Sequence, residues 1–272
     1  MTRLKKNYLA IESFGVKLKI FCAREDILNE IEKRIEKILP KGFYQDISPR
    51  AATHSFSVRQ NREYEFVLFK GKQKVEFGNE KEIFLKYFDW QLRLTIAEFA
   101  VDRVFLHAGV VAWKGKAIII PAKSFGGKTT LVKELTKIGA QYYSDEYAVL
   151  DKEGFVHPFP KMLSVRVSAG DYKQTDFPVE TFGGVQGTEA LPVAMILITE
   201  FEKGAKWQPE ILSAGFGVME MLSHTIPIRY NPKFSLKVLN NTANRAIIVK
   251  TKRGEANDFA LKLLSFFKDK AL

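Results

Sequence analysis

Apolar and polar positions alternate along residues 15–22, where lysines separate Val16, Leu18 and Ile20; the period of two predicts a strand. The period changes at 25–38, where Ile27, Leu28, Ile31, Ile35 and Ile38 recur at helical spacing and Pro40 and Gly42 stop the helix. Short strand-like runs follow near 53–58, 63–69 and 73–77, with a hairpin turn at Gly71-Lys72 between the last two. Residues 80–100 carry a long helical pattern with Ile83, Phe84, Tyr87, Phe88, Leu92 and Ile96 along one side. That bulky stripe reads as a packing face between two halves of the chain. No Ser/Gly-rich linker separates the halves, so they are expected to pack together.

From residue 104 the texture changes. Short apolar strands are predicted at 104–106 and 110–113, followed by a turn at Lys114-Gly115-Lys116. The strand Ala117-Ile118-Ile119-Ile120 runs directly into a loop at 121–127, and a helix over 128–138 stops at Gly139. Strands at 147–150, 193–199 and 246–250 and helices at 213–224, 233–242 and 255–268 complete the pattern. Two parts result: 1–100, a small α+β subdomain ending in the long helix, and 101–272, an α/β part. Gly183-Gly184-Val185-Gln186-Gly187 reads as a flexible loop, either an ordinary connection or a cover for a site.

Composition narrows the class. The 272 residues are 46% hydrophobic and include 22 Phe, enough for a sizeable core. No apolar run reaches the roughly 18 residues of a membrane span, so no membrane partner is expected. Residues 1–8 are basic but lack a long apolar stretch and a small-residue cleavage site, so no signal peptide is expected. Cys22, the single cysteine, sits in an apolar run and reads as a buried strand thiol, which makes the cytoplasm the expected compartment. The net charge of +11 is spread over the chain without a recognition-helix or RNA-binding signature. Nucleic acid is therefore not the expected partner. Homo-oligomerisation stays open.

Chemistry concentrates at the loop. The stretch Ala122-Lys123-Ser124-Phe125-Gly126-Gly127-Lys128-Thr129-Thr130 stands between an apolar strand and a helix. That is the setting in which backbone amides and a helix N-terminus cradle phosphate. Gly126 and Gly127 supply the tight turn, Lys128 the charge for the β/γ-phosphates and Thr129 a hydroxyl for Mg²⁺. Residues Lys123, Ser124, Phe125, Gly126, Gly127, Lys128, Thr129 and Thr130 are thus the candidate nucleotide contacts, with ATP and Mg²⁺ as the expected ligands. Ala122 stands where the pattern usually has its first glycine, which is acceptable if φ there is negative. Downstream, Ser144-Asp145-Glu146 precedes the strand at 147–150. One carboxylate there suits Mg²⁺ and the other suits the proton of an attacking hydroxyl. His107, at a strand end, is the candidate histidine; His54, His157 and His224 read as structural.

Leu106-His107-Ala108-Gly109-Val110-Val111, the loop at 123–130 and Ser144-Asp145-Glu146 together resemble the catalytic core of HPr kinase/phosphorylase and its serine-kinase relatives. His107 stands 21 residues before Lys128, and Asp145 and Glu146 stand 17 and 18 after it, in the family's register. The resemblance covers residues 104–168 well, extends loosely to the C-terminus and does not include the N-terminal part. It implies a phosphoenolpyruvate carboxykinase-like fold, a mixed and strongly bent β core with the P-loop at one end. It also implies transfer of the ATP γ-phosphoryl group to a serine hydroxyl on a peptide, protein or small molecule. By position Glu146 matches the acid that deprotonates the serine, where the family has Asp. Asp145 matches its neighbour near the metal, and His107 a histidine beside that pair. The glutamate at 146 lengthens the arm by about 1.5 Å. The family's downstream metal-associated glutamate falls at Ser164, so phosphorolysis is not expected, nor is HPr the expected substrate. The alternative reading is a nucleotide-binding accessory or sensing module without turnover.

Overall fold

The computed structural model describes residues 7–39, 42–61, 65–122, 126–166 and 174–271, apart from the side chains of residues 76, 166 and 174. The protein is mixed α/β and divides into two compact units, Met1–Asp102 and Arg103–Leu272. Among the described residues no helix is long and apolar enough to cross a membrane.

The first unit holds a six-stranded sheet. Its strands are β1 (Tyr8–Ser13), β2 (Val16–Cys22), β3 (Tyr44–Asp46), β4 (His54–Gln60), β5 (Phe66–Lys70) and β6 (Gln73–Glu76), in the order β3-β1-β2-β4-β5-β6. β2 buries alternate residues, Cys22 among them, as its period of two requires. β1 had no counterpart in the sequence reading. It pairs with β2 through a turn at Phe14-Gly15, where φ is 49° and 77°, the conformation that suits tight hairpins. Helix α1 (Glu25–Ile38) buries Ile27, Leu28, Ile31 and Ile35. Helix α2 (Lys81–Phe99) lays its aromatic stripe on the sheet of its own unit. Phe84 stacks on Phe66 at 4.8 Å and Phe88 meets Phe56 edge-on at 5.6 Å. Ile83, expected in that stripe, is 54% exposed.

The second unit is built on strands β7 (Val104–Trp113), β8 (Lys116–Pro121), β9 (Gln141–Ser144), β10 (Tyr147–Leu150), β11 (Phe155–His157), β14 (Leu191–Phe201), β15 (Glu210–Leu212) and β16 (Ile247–Arg253). A separate hairpin comprises β12 (Leu163–Arg166) and β13 (Gln174–Phe177). The sheet order is β11-β10-β7-β8-β14-β16-β15, with β9 also on β7. β11 pairs with β14 as well, so β11, β10, β7, β8 and β14 form a closed circuit. β8, β14 and β16 run parallel, which brings their carboxyl ends to one side. In parallel sheets that is the side where ligands bind.

β7 is one ten-residue strand rather than the two short ones expected, because both of its faces are buried and His107-Ala108-Gly109 continues it. Its even-numbered residues Val104, Leu106, Ala108, Val110 and Ala112 join an apolar layer with α4 (Ala214–Leu222) and α5 (Pro232–Ala243). Val111, Ile118, Ile120 and Val249 join the opposite layer with α3 (Lys128–Lys137) and α6 (Ala256–Ala271). With alternation of period two, His107 and Gly109 of β7 and Arg253 of β16 belong to the α3 face. Gly109 has a packing reason: a Cβ there would lie 2.7 Å from Val132 Cγ2, so its absence lets α3 approach the strand.

The segment at 183–187 is fastened down rather than a free cover. Tyr142 N donates to Val185 O and Gly187 N to Tyr142 O, each at 2.8 Å, and a Cβ at Gly187 would enter the Tyr143 ring.

Candidate functional site

Three chain segments meet at the carboxyl end of β8. The first is the start of α3. Gly127 caps it with φ at 75°, a left-handed conformation that favours glycine. Ala122 is not among the residues of positive φ, as its place in the loop requires. Lys128 is only 8% exposed, and its ammonium donates to Ala122 O at 2.9 Å. Lys123, Ser124 and Phe125, three of the expected nucleotide contacts, lie outside the described residues. Thr130 is exposed in the first turn of the helix.

The second segment is the acidic turn. β9 and β10 both pair with β7, with Ser144 opposite Val110 and Tyr147 opposite His107. Asp145 and Glu146 therefore span the gap between two antiparallel pairings. Ser144 Oγ fixes the turn by accepting from Glu146 N at 3.1 Å and Tyr147 N at 3.0 Å. Ala108 N holds Glu146 O at 3.1 Å. Thr129 Oγ1 donates to Asp145 Oδ2 at 3.2 Å, which joins the first helical turn to the acidic pair. The Tyr142 hydroxyl lies 2.6 Å from Lys161 O and 3.3 Å from Asp145 Oδ1.

The third segment is β7 itself. His107 Nε2 lies 3.2 Å from Lys128 Nζ. Its backbone amide is held by His224 O at 2.8 Å.

Electrostatics follow burial. Desolvation lowers His107 to about 4, with the Lys128 charge acting in the same direction, so the imidazole is neutral near pH 7 and accepts from the ammonium. Desolvation also lowers Lys128, to about 8, against the pull of Asp145 and Glu146. Burial raises Asp145, and it outweighs the opposing Lys161 charge. A buried lysine at a helix N-terminus puts positive charge where an anion is favoured.

Two residues at this site went unread in the sequence. Lys161 Nζ lies 3.7 Å from Asp145 Oδ1 and 3.5 Å from Glu146 Oε2, and it donates to Ser164 Oγ at 3.1 Å. Ser164 donates in turn to Asp176 across the β12–β13 hairpin at 2.6 Å. Arg253, 3% exposed at the end of β16, donates through Nη2 to Gly126 O at 3.3 Å and Gly127 O at 3.1 Å. The only advance signal for Arg253 was strand parity, and the expected strand stopped at Lys250.

The donor set suits a nucleotide and its metal. Thr129 and Asp145 offer adjacent hard oxygens, the kind Mg²⁺ takes. Among the described residues no three His, Cys, Asp or Glu gather as a metal site, so further oxygens would come from phosphate and water. That is the usual arrangement for Mg²⁺.

No family model matches the chain, and no curated protein matches it. Among solved structures, the Hpr(Ser) kinase/phosphatase from Coxiella burnetii aligns with 61% of this chain and 94% of its own, at 13% identity and a TM-score of 0.32. The likeness is distant.

Proposed function

We propose that the chain is an ATP/Mg²⁺-dependent kinase that phosphorylates a hydroxyl, that of serine first, on a peptide, protein or small molecule. The supporting observation is the bond between Thr129 and Asp145, beside a buried Lys128 that stands at the start of α3. A cation for phosphate, a hydroxyl for the metal and the carboxylates then stand side by side, with His107 beside Lys128. The fold reading that goes with this is a phosphoenolpyruvate carboxykinase-like P-loop core.

In this reading the amides of 126–130 and the ammonium of Lys128 hold the β/γ-phosphates, as a helix N-terminus holds anions. Thr129 and Asp145 would hold Mg²⁺, and the ion would supply neutralising charge for the phosphates. The acceptor oxygen forms its bond to Pγ as the bond from Pγ to the bridging oxygen breaks and ADP leaves. Glu146 takes the acceptor proton. His107, neutral, accepts a hydrogen bond from Lys128 and keeps the ammonium in place. Little covalent chemistry is asked of the protein, so positioning carries the rate.

One observation favours a second reading. The carboxylate of Glu146 already faces the Lys161 ammonium at 3.5 Å. A base so neutralised suits a nucleotide-binding module without turnover, unless Lys161 moves when the acceptor arrives. Incubation with γ-labelled ATP and a peptide extract separates the two. The kinase reading expects label on a hydroxyl, lost in Glu146→Gln while ATP still binds. Tight ATP binding with no label transferred under any condition would falsify it and leave the module.

A further inference from the structure

Arg253 carries a consequence of its own. It arrives from β16, whose parallel pairing with β14 sets Arg253 opposite Phe201. Its guanidinium is buried, lies 5.4 Å from the Phe201 ring, and spends its Nη2 hydrogens on the carbonyls of Gly126 and Gly127. Burial lowers its pKa, with only Glu255 acting in the other direction. A buried guanidinium whose partners are loop carbonyls rather than a carboxylate is a costly arrangement.

Its effect follows from peptide geometry. In a trans peptide the C=O and the following N–H point in opposite directions. Holding the carbonyls of Gly126 and Gly127 toward Arg253 turns the amides of Gly127 and Lys128 away from it. A second observation agrees. A Cβ at residue 127 would lie 2.1 Å from Arg253 Nη2, so glycine there serves the close approach of the guanidinium as well as the positive φ.

We infer that Arg253 is a positioning residue for the phosphate loop: it grips the carbonyl side of Gly126-Gly127 and thereby aims the amides of Gly127 and Lys128 at the anion. This rests on the nucleotide reading above and names how the loop is held. Nη2 gives one hydrogen to each carbonyl; a lysine ammonium would stand near the place of Cζ, about 1.3 Å short of Nη2, and would not reach both.

The test measures binding of inorganic tripolyphosphate and of ATP by calorimetry to the full chain and to Arg253→Met, Arg253→Lys and Arg253→Ala. The Met variant is expected to weaken both ligands by about 10- to 100-fold, the scale of hydrogen bonds involving a charged group. The Lys variant is expected to stay impaired. Added guanidinium ion is expected to restore much of the loss in the Ala variant and to leave the wild type unchanged. Wild-type affinity in Arg253→Lys would overturn the role, because charge alone would then suffice. Equal affinity in Arg253→Met would overturn it too. If these variants do not fold, ¹H–¹⁵N spectra of the wild type decide: tripolyphosphate is expected to move the Gly127 and Lys128 amides downfield, and unmoved amides refute the inference. A wild type that binds neither ligand refutes the nucleotide reading itself and this inference with it.

Discussion

At the scale of single residues, the site is a set of charges that burial has made expensive, and each makes a measurable difference. His107 titrates near 4 in the folded protein because it is desolvated beside Lys128. Unfolded, it titrates near 6.5. Between those values the unfolded chain binds more protons, so this residue costs stability as pH falls through that window and costs nothing above it. His107→Gln is therefore expected to narrow the gap in unfolding free energy between pH 7.5 and pH 5 by on the order of 1–2 kcal/mol. Denaturant titration at the two pH values measures it; an unchanged gap would show that His107 titrates normally. Lys161 invites the opposite experiment. Its ammonium sits where Asp145 and Glu146 would otherwise present two carboxylates to a cation. Lys161→Met should raise the affinity for Mn²⁺ without nucleotide by about tenfold and lower stability by about 1–3 kcal/mol, since two acids are left facing each other. Weaker Mn²⁺ binding in that calorimetric titration would place Lys161 outside the competition for the metal.

At the scale of elements, local periodicity was legible wherever one face of an element is buried. α1 occupies the span its isoleucine spacing predicted, and β2 shows the expected alternation. β7 was misread as two strands because it is buried on both sides, so its pattern has no polar face to mark the period. β1 was missed although Phe14-Gly15 is a tight turn, since Phe is not a residue that announces positive φ. The contact that sets α3 against β7 could not be read at all: Gly109 is a gap in a strand until Val132 is seen to fill it. Gly109→Ala is expected to cost about 1–3 kcal/mol by overpacking. It should also weaken ATP binding, because Lys128 Cβ lies only 3.9 Å from the same point. Gly115→Ala is the control. Its φ is 76° with open space around the added Cβ, so it is expected to cost about 1 kcal/mol from backbone strain and leave ATP affinity unchanged. A Gly109→Ala variant with wild-type ATP affinity would uncouple the helix packing from the loop.

At the scale of the whole chain, what was legible is what stands close together in sequence. The loop, its helix and the acidic pair fall within 121–146, so one stretch of pattern revealed them. Lys161 enters from beyond β11, and Arg253 enters from a strand placed beside β14 by a pairing that no local signal encodes. The net charge of +11 said nothing about this site, because its cations are few and buried while the rest are spread over the surface. All the side chains assigned to the nucleotide belong to the unit Arg103–Leu272. Ligand that binds only the folded form stabilises it by RT ln(1 + [L]/Kd), about 2.7 kcal/mol at one hundred times Kd. For a unit of this size that corresponds to a rise of roughly 5–10 °C in its transition. Scanning calorimetry with MgATP should show that rise. Hydrogen exchange should show new protection at 126–131 and 141–147, where the loop amides and the acidic turn would close on the ligand. Thr129→Val should lose most of the Mg²⁺-dependent part while keeping the part that ATP supplies without metal, because in the proposed function the hydroxyl would serve the metal and the amides the phosphate. A Thr129→Val protein in which Mg²⁺ still adds its full share would move the metal away from the Thr129–Asp145 pair, the contact that ties the first turn of α3 to the acidic turn.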